Sequence, residues 1–71
     1  MRRAVLLAKI SKAARERGAI WELRREGSNH SILVLDGEQI PVPRHNEINE
    51  MTAVGIMKQC EGALGERWWR Q

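Results

Sequence analysis

One cysteine in 71 residues, Cys60, excludes a disulfide within the chain. No histidine–cysteine cluster stands at metal-ligand spacing and no acidic pair has metal spacing, so neither a structural zinc nor a catalytic metal or other cofactor is expected. Long apolar runs are also missing. Arg2 and Arg3 precede only the short apolar stretch Ala4 to Ala8, too little for a signal peptide. Nothing approaches the length of a membrane span. These absences predict a cytoplasmic protein in a reducing compartment. The chain is one small domain, 1–71, and a domain of this size buries only about 60% of its unfolded surface. Disulfides or metals often support such domains; here self-association or a protein partner is left to do so.

What is present is unevenly distributed. Residues 1–25 hold eight Lys or Arg against two Glu, a net +6, whereas residues 26–71 carry a net −3. The basic part contains Arg2, Arg3, Lys9, Lys12, Arg15, Arg17, Arg24 and Arg25. A one-sided basic surface is the electrostatic footprint of a protein that binds a polyanion, most often nucleic acid. A solvated helix face is the plainer explanation.

Periodicity gives the elements. Leu6, Ile10, Ala13 and Ala14 share one helical face between about Ala4 and Arg17, with Lys9, Lys12 and Arg15 off that face and Gly18 as the stop. A strand follows over about Ile20 to Glu26, with Trp21 and Leu23 on one side and Glu22 and Arg24 on the other. Trp21 is expected as a core anchor. A second strand runs from His30 to about Leu35, and its apolar run from Ile32 marks it as central. Asp36-Gly37 is a two-residue hairpin signal. The third strand, Glu38 to Val42, contains Pro41 and belongs at an edge. Residues 46–50 read as a polar turn, and Asn49 is placed to cap a second helix that buries Ala53, Ile56, Met57, Cys60 and Leu64. Gly55 inside that helix costs about 1 kcal/mol relative to alanine, which close packing on the sheet would explain. Gly62 or Gly65 ends the helix. Trp68 and Trp69 are adjacent, so at least one is expected to be exposed or to meet a partner. The order is α-β-β-β-α, an α+β fold with a three-stranded antiparallel sheet and both helices on one face.

Two motifs carry the chemistry. Gly27-Ser28-Asn29-His30 interrupts the strands: Gly27 is free to adopt angles closed to other residues, Ser28 and Asn29 favour a turn, and His30 opens the next strand. Val42-Pro43-Arg44-His45 leaves the sheet between two prolines that stiffen the exit. By themselves these residues describe either a proton-transfer site or a turn with a surface histidine.

Together with Met51-Thr52 and Ile56-Met57-Lys58-Gln59 in the following helix, the motifs make the chain resemble the HicA family of toxins over about residues 8–62. The extension Met1 to Leu7 and the tail 63–71 fall outside the resemblance, and the stretch from Gly18 to Gly27 is about one residue longer than usual. The resemblance implies a fold like a double-stranded-RNA-binding domain and an mRNA interferase, an endoribonuclease of a type II toxin–antitoxin pair. It makes His30 the catalytic residue. It also implies a HicB-type antitoxin as partner, with any oligomer forming through that complex. RNA supplies its own 2′-hydroxyl nucleophile, so a histidine with an unperturbed pKa of about 6.5 suits the base or acid role without a metal. His45 is either a second proton-transfer group or a support for the strand-to-helix turn. Lys9, Lys12, Arg24, Arg25 and Arg44, with Ser28 and Asn29 of the motif, form the expected RNA-binding set; each arginine is equally readable as a solvated charge. A non-catalytic RNA-binding module is the alternative function.

Overall fold

The computed structural model describes residues 1–70; Gln71, the end of the 63–71 tail, lies outside them. Helix α1 spans Arg3–Arg17 and buries the predicted stripe of Leu6, Ile10, Ala13 and Ala14. Gly18 ends it in the left-handed conformation, at φ 68° and ψ 21°. The Ala19 N–H then donates to the Ala14 carbonyl at 2.8 Å, which satisfies an end carbonyl the helix would otherwise leave bare.

Three strands follow in antiparallel order: β1 (Trp21–Glu26), β2 (His30–Leu35) and β3 (Glu38–Pro43), with β2 in the middle. Asp36 and Gly37 both have positive φ, 48° and 87°, as a tight hairpin between right-twisted strands requires. Asp36 also accepts the Ile20 N–H at 2.8 Å through its carboxylate, which fixes where β1 begins. Pro41 sits on the edge strand β3, where its missing donor leaves no gap in the ladder.

Alternation along β2 divides the sheet. Ser31, Leu33 and Leu35 point towards α1; Leu33 and Leu35 join Ile40, Val42 and the α1 stripe in the core. Each fully buried aliphatic side chain of this kind contributes about 1.5–3 kcal/mol. His30, Ile32 and Val34 have the opposite parity and form the outer face.

Helix α2 (Glu50–Gln59) starts at the predicted cap, with Asn49 Oδ1 accepting the Thr52 N–H at 2.8 Å. Ala53, Ile56 and Met57 enter the core. The single second helix expected from periodicity is divided at Cys60, and a short α3 (Glu61–Leu64) continues the buried face to Leu64. Gly65, at φ 96°, ends α3, while Gly62 lies within it. Burial pushes the Cys60 thiol up to about 12, with the Glu38 carboxylate adding to the shift, so this thiol is chemically quiet. No described helix is long and apolar enough to cross a membrane.

Three expectations are corrected or refined. Gly27 has no positive φ; it is glycine because a Cβ there would lie 3.2 Å from the His30 carbonyl oxygen. Residues 46–50 are not simply a polar turn, since Ile48 is buried in the core. Its N–H donates to the Met1 carbonyl at 2.8 Å, and Arg2 bridges to Glu47, so the N-terminal extension is zipped onto this linker. Finally, both terminal tryptophans face the core, Trp68 buried in it and Trp69 at its margin and partly exposed. The chain turns at Gly65 and Arg67, and Trp68 fills the core with its indole N–H donating to the Met57 carbonyl at 2.8 Å. Trp69 packs edge-on against it, half-buried, with ring centres 5.9 Å apart and planes at 83°. The two rings stand within a 3-10 turn, Trp68–Arg70.

Candidate active site on the outer face of the sheet

His30 is the first residue of the central strand. The loop before it is closed by the Gly27 N–H donating to the His30 carbonyl at 2.8 Å. Arg44 fastens the loop from the other side: its backbone N–H donates to Asn29 O at 3.0 Å and its guanidinium to Gly27 O at 2.7 Å. The two motifs read from the sequence are therefore bonded to one another. Arg44 is a hairpin brace whose remaining N–H groups are exposed beside His30.

A second brace was not foreseen. Arg3, in the N-terminal extension, donates through Nε to the Pro43 carbonyl at 2.9 Å and through Nη2 to Ser31 Oγ at 2.7 Å. The fully buried Ser31 hydroxyl donates in turn to Glu26 Oε1 at 3.1 Å. Pro43 is the partner of His30 across the ladder, and Ser31 is its neighbour in the chain. Arg3 thus ties all three strands together under the histidine. An arginine at the first position of a helix, with no periodic signal of its own, gave the sequence no way to announce this.

The strand β1 is bulged between Leu23 and Arg25, so Arg24 has no partner on β2. The bulge resets the alternation. Glu26 turns inward opposite Ser31, and Arg25 turns outward opposite Ile32, diagonal to His30 on the same face. Arg24 stays at the surface and donates to Glu22 at 2.9 Å. Such an exposed ion pair is worth little, about 0–1 kcal/mol.

The imidazole of His30 is exposed and has no hydrogen-bond partner among the described residues. It lines an open groove of about 290 Å³ between the outer face and α2. Pro41 and Pro43 form one wall; Thr52, Gly55, Ile56 and Gln59 form the other. A larger hollow of about 630 Å³ lies between α3 and the C-terminal turn, and His30 does not line it. The structure therefore collects His30, Arg25, Arg44, Ser28 and Asn29 at one end of the outer face and hairpin. It does not collect Lys9 and Lys12, which line a separate hollow with Trp68 and Trp69, on the layer that covers the opposite face. His45 is exposed two residues beyond β3 and makes no hydrogen bond among the described residues. The turn after β3 is held by the Arg3 N–H to Asn46 O, at 2.9 Å, and by Ile48, so His45 is not what supports it.

Gly55 also departs from expectation. A Cβ built on it meets nothing within 4 Å, so close packing on the sheet is not why it is glycine. Among the described residues no three His, Cys, Asp or Glu side chains are grouped as a metal site. In comparisons with known proteins, the chain matches no family model, no curated protein and no solved structure.

Proposed function

We propose that this chain is a metal-independent endoribonuclease, the mRNA-cleaving toxin of a HicA-type toxin–antitoxin pair, with His30 as its catalytic residue. The observation that carries the proposal is the placement of His30. It is an exposed, unpartnered imidazole at the head of the central strand, braced from both sides by Arg44 and Arg3 and opening onto a groove. A surface histidine of no consequence does not need two arginine braces. A proton-transfer group does, because the rate depends on the geometry of the base relative to the hydroxyl it serves.

The chemistry follows from RNA. His30 takes the proton of a 2′-hydroxyl as its oxygen attacks the adjacent phosphorus. The bond from phosphorus to the 5′-oxygen breaks, and that oxygen takes a proton from His45 or from water. The products are a 2′,3′-cyclic phosphate and a free 5′-hydroxyl. Arg25 and the free N–H groups of Arg44 neutralise the developing charge on the phosphorane. Arg24, Ser28 and Asn29 border the same strand path. Lys9 and Lys12 serve only an RNA long enough to pass round the sheet edge to α1. The partner proposed is a HicB-type antitoxin in the cytoplasm, acting by covering His30 and the 43–46 turn.

Cleavage of a defined RNA oligonucleotide in EDTA, with product ends read by mass spectrometry, tests the proposal. Wild type yields cyclic phosphate ends. His30→Ala loses about 10²–10⁴-fold in rate and unfolds at the same temperature, because the side chain is exposed. An equally active His30→Ala protein overturns the assignment, and RNA binding without cleavage by wild type leaves the binding-module alternative in its place.

A further inference from the structure

Helix α2 carries a glycine that its own fold does not require. Gly55 is mid-helix, where glycine is unfavourable, and an added Cβ meets only open space. The position matters because of what stands opposite. A Cβ on Gly62 would lie 3.7 Å from the Glu38 carboxylate, which sets the start of α3 level with the start of β3. The helices therefore run back along β3. Gly55 lines the groove together with Pro41, Pro43, Thr52 and His30. The groove behind His30 is open because position 55 has no side chain to close it.

We infer that this groove seats one nucleotide next to the scissile phosphate, with Gly55 keeping it open and Gln59 selecting the base. The inference rests on the ribonuclease reading of His30. The volume, about 290 Å³, is at the lower end of ligand sites and suits one unit of a strand rather than a duplex. Pro41 and Pro43 offer flat apolar surface for a splayed base, the form in which single-stranded RNA is read. Polar groups are few and stand on one wall. Thr52 lines the groove with His30, and its hydroxyl can bond ribose or phosphate. Gln59 is on the same wall, where a carboxamide offers a donor and an acceptor to a base edge. No Lys, Arg, Asp or Glu lines the groove; Lys58 and Glu50 line a neighbouring hollow that shares Gly55 with it. A base binds here by shape and a paired hydrogen bond more than by charge, so this site sets sequence preference and contributes little to salt dependence.

The test separates this inference from its parent. Hexanucleotides with 2′-O-methyl groups cannot be cleaved, so binding is read without chemistry. Four such probes, varied at one position, are titrated into wild-type protein while the amide signals of Thr52, Gly55 and Gln59 are followed by NMR. Matching ribo-hexanucleotides give cleavage rates. Wild type is expected to prefer one base by about 10-fold or more, with the largest shifts at those three amides. Gln59→Ala levels the preference to within 2-fold while still cleaving. Gly55→Leu fills the groove and lowers binding and cleavage by at least 10-fold, yet unfolds no earlier than wild type. If Gly55→Leu binds and cleaves like wild type, or if Gln59→Ala keeps the preference, the inference is wrong. If wild type binds the probes in the groove but cleaves no RNA, the ribonuclease reading fails and the groove assignment stands.

Discussion

The two faces of the central strand are made by one six-residue segment and obey different rules. On the inner face Ser31, Leu33 and Leu35 meet α1, and all three are fully or almost fully buried. On the outer face Ile32 and Val34 carry no helix layer, and His30 meets α2 only across the groove. Val34 is only 5% exposed, yet it stands outside the core cluster and is flanked by its ladder partners, Glu22 and Gln39. Apolar content alone does not tell the two faces apart, because Ile32-Leu33-Val34-Leu35 is one unbroken run. What tells them apart is what each face has to touch. The inner face is packed within the core, whereas the outer face ends in an imidazole and a groove that none of the described residues fills.

Removing one side chain from each face gives the largest expected contrast. Leu33→Ala creates a cavity in the core and should cost about 2–5 kcal/mol, a large part of the stability of so small a domain. Val34→Ala should cost less than half as much, because its neighbours are flexible side chains that can close over the gap. Urea denaturation of the two variants measures this, and equal losses would mean the outer face is as tightly packed as the inner.

A smaller effect tests whether the C-terminal turn belongs to the inner layer. Trp68→Phe keeps most of the apolar bulk but leaves the buried Met57 carbonyl without its donor, at a cost of about 1–3 kcal/mol. If the midpoint in urea does not move, the tail is a covering and not part of the core.

Salt dependence then distinguishes the two basic regions. With a single-stranded hexanucleotide, Arg25→Gln should reduce the slope of log affinity against log salt by about 0.7, the value of one phosphate contact, while Lys9→Gln with Lys12→Gln leaves it unchanged. With an RNA of about 40 nucleotides the lysine pair should also lower the slope, by up to about 1.4. A lysine effect on the hexanucleotide would place the short-strand path on α1, away from His30. The smallest effect is expected at Arg24→Ala. It breaks an exposed ion pair with Glu22 and should shift stability by less than about 1 kcal/mol.

The inner face was legible in the sequence because its signals are local. The α1 stripe, the left-handed Gly18, the Asp36-Gly37 hairpin and the Asn49 cap each depend on residues a few positions apart, and the structure has all of them. The α+β order followed from these. What was not legible depends on distant partners. Ile48 becomes core only because the N-terminal segment pairs with its linker. Trp68 reaches the core, and Trp69 its margin, only because the chain turns back at Gly65 and Arg67. The bracing of His30 by Arg3 joins residues 28 to 40 positions apart. The GSNH and VPRH motifs were found as separate signals, and the bonds from Arg44 to the 27–29 loop give the physical reason they occur together. The groove was missed for another reason: an absent side chain, at Gly55, leaves no mark in a hydrophobic pattern.

The bulge in β1 has a consequence for how this chain tolerates a change of length. The residues around it pair with consecutive positions of β2: Leu23 with Leu33, Arg25 with Ile32, and Glu26 with Ser31. Deleting Arg24 therefore leaves every pairing partner in place and converts a bulged ladder into a regular one. Glu26 would still reach Ser31 and Arg3, and Arg25 would still stand on the histidine's side. At this one point the strand can lose a residue without exchanging its two faces, whereas deleting one residue between Ser31 and Val34 would put His30 out of phase with the rest of β2.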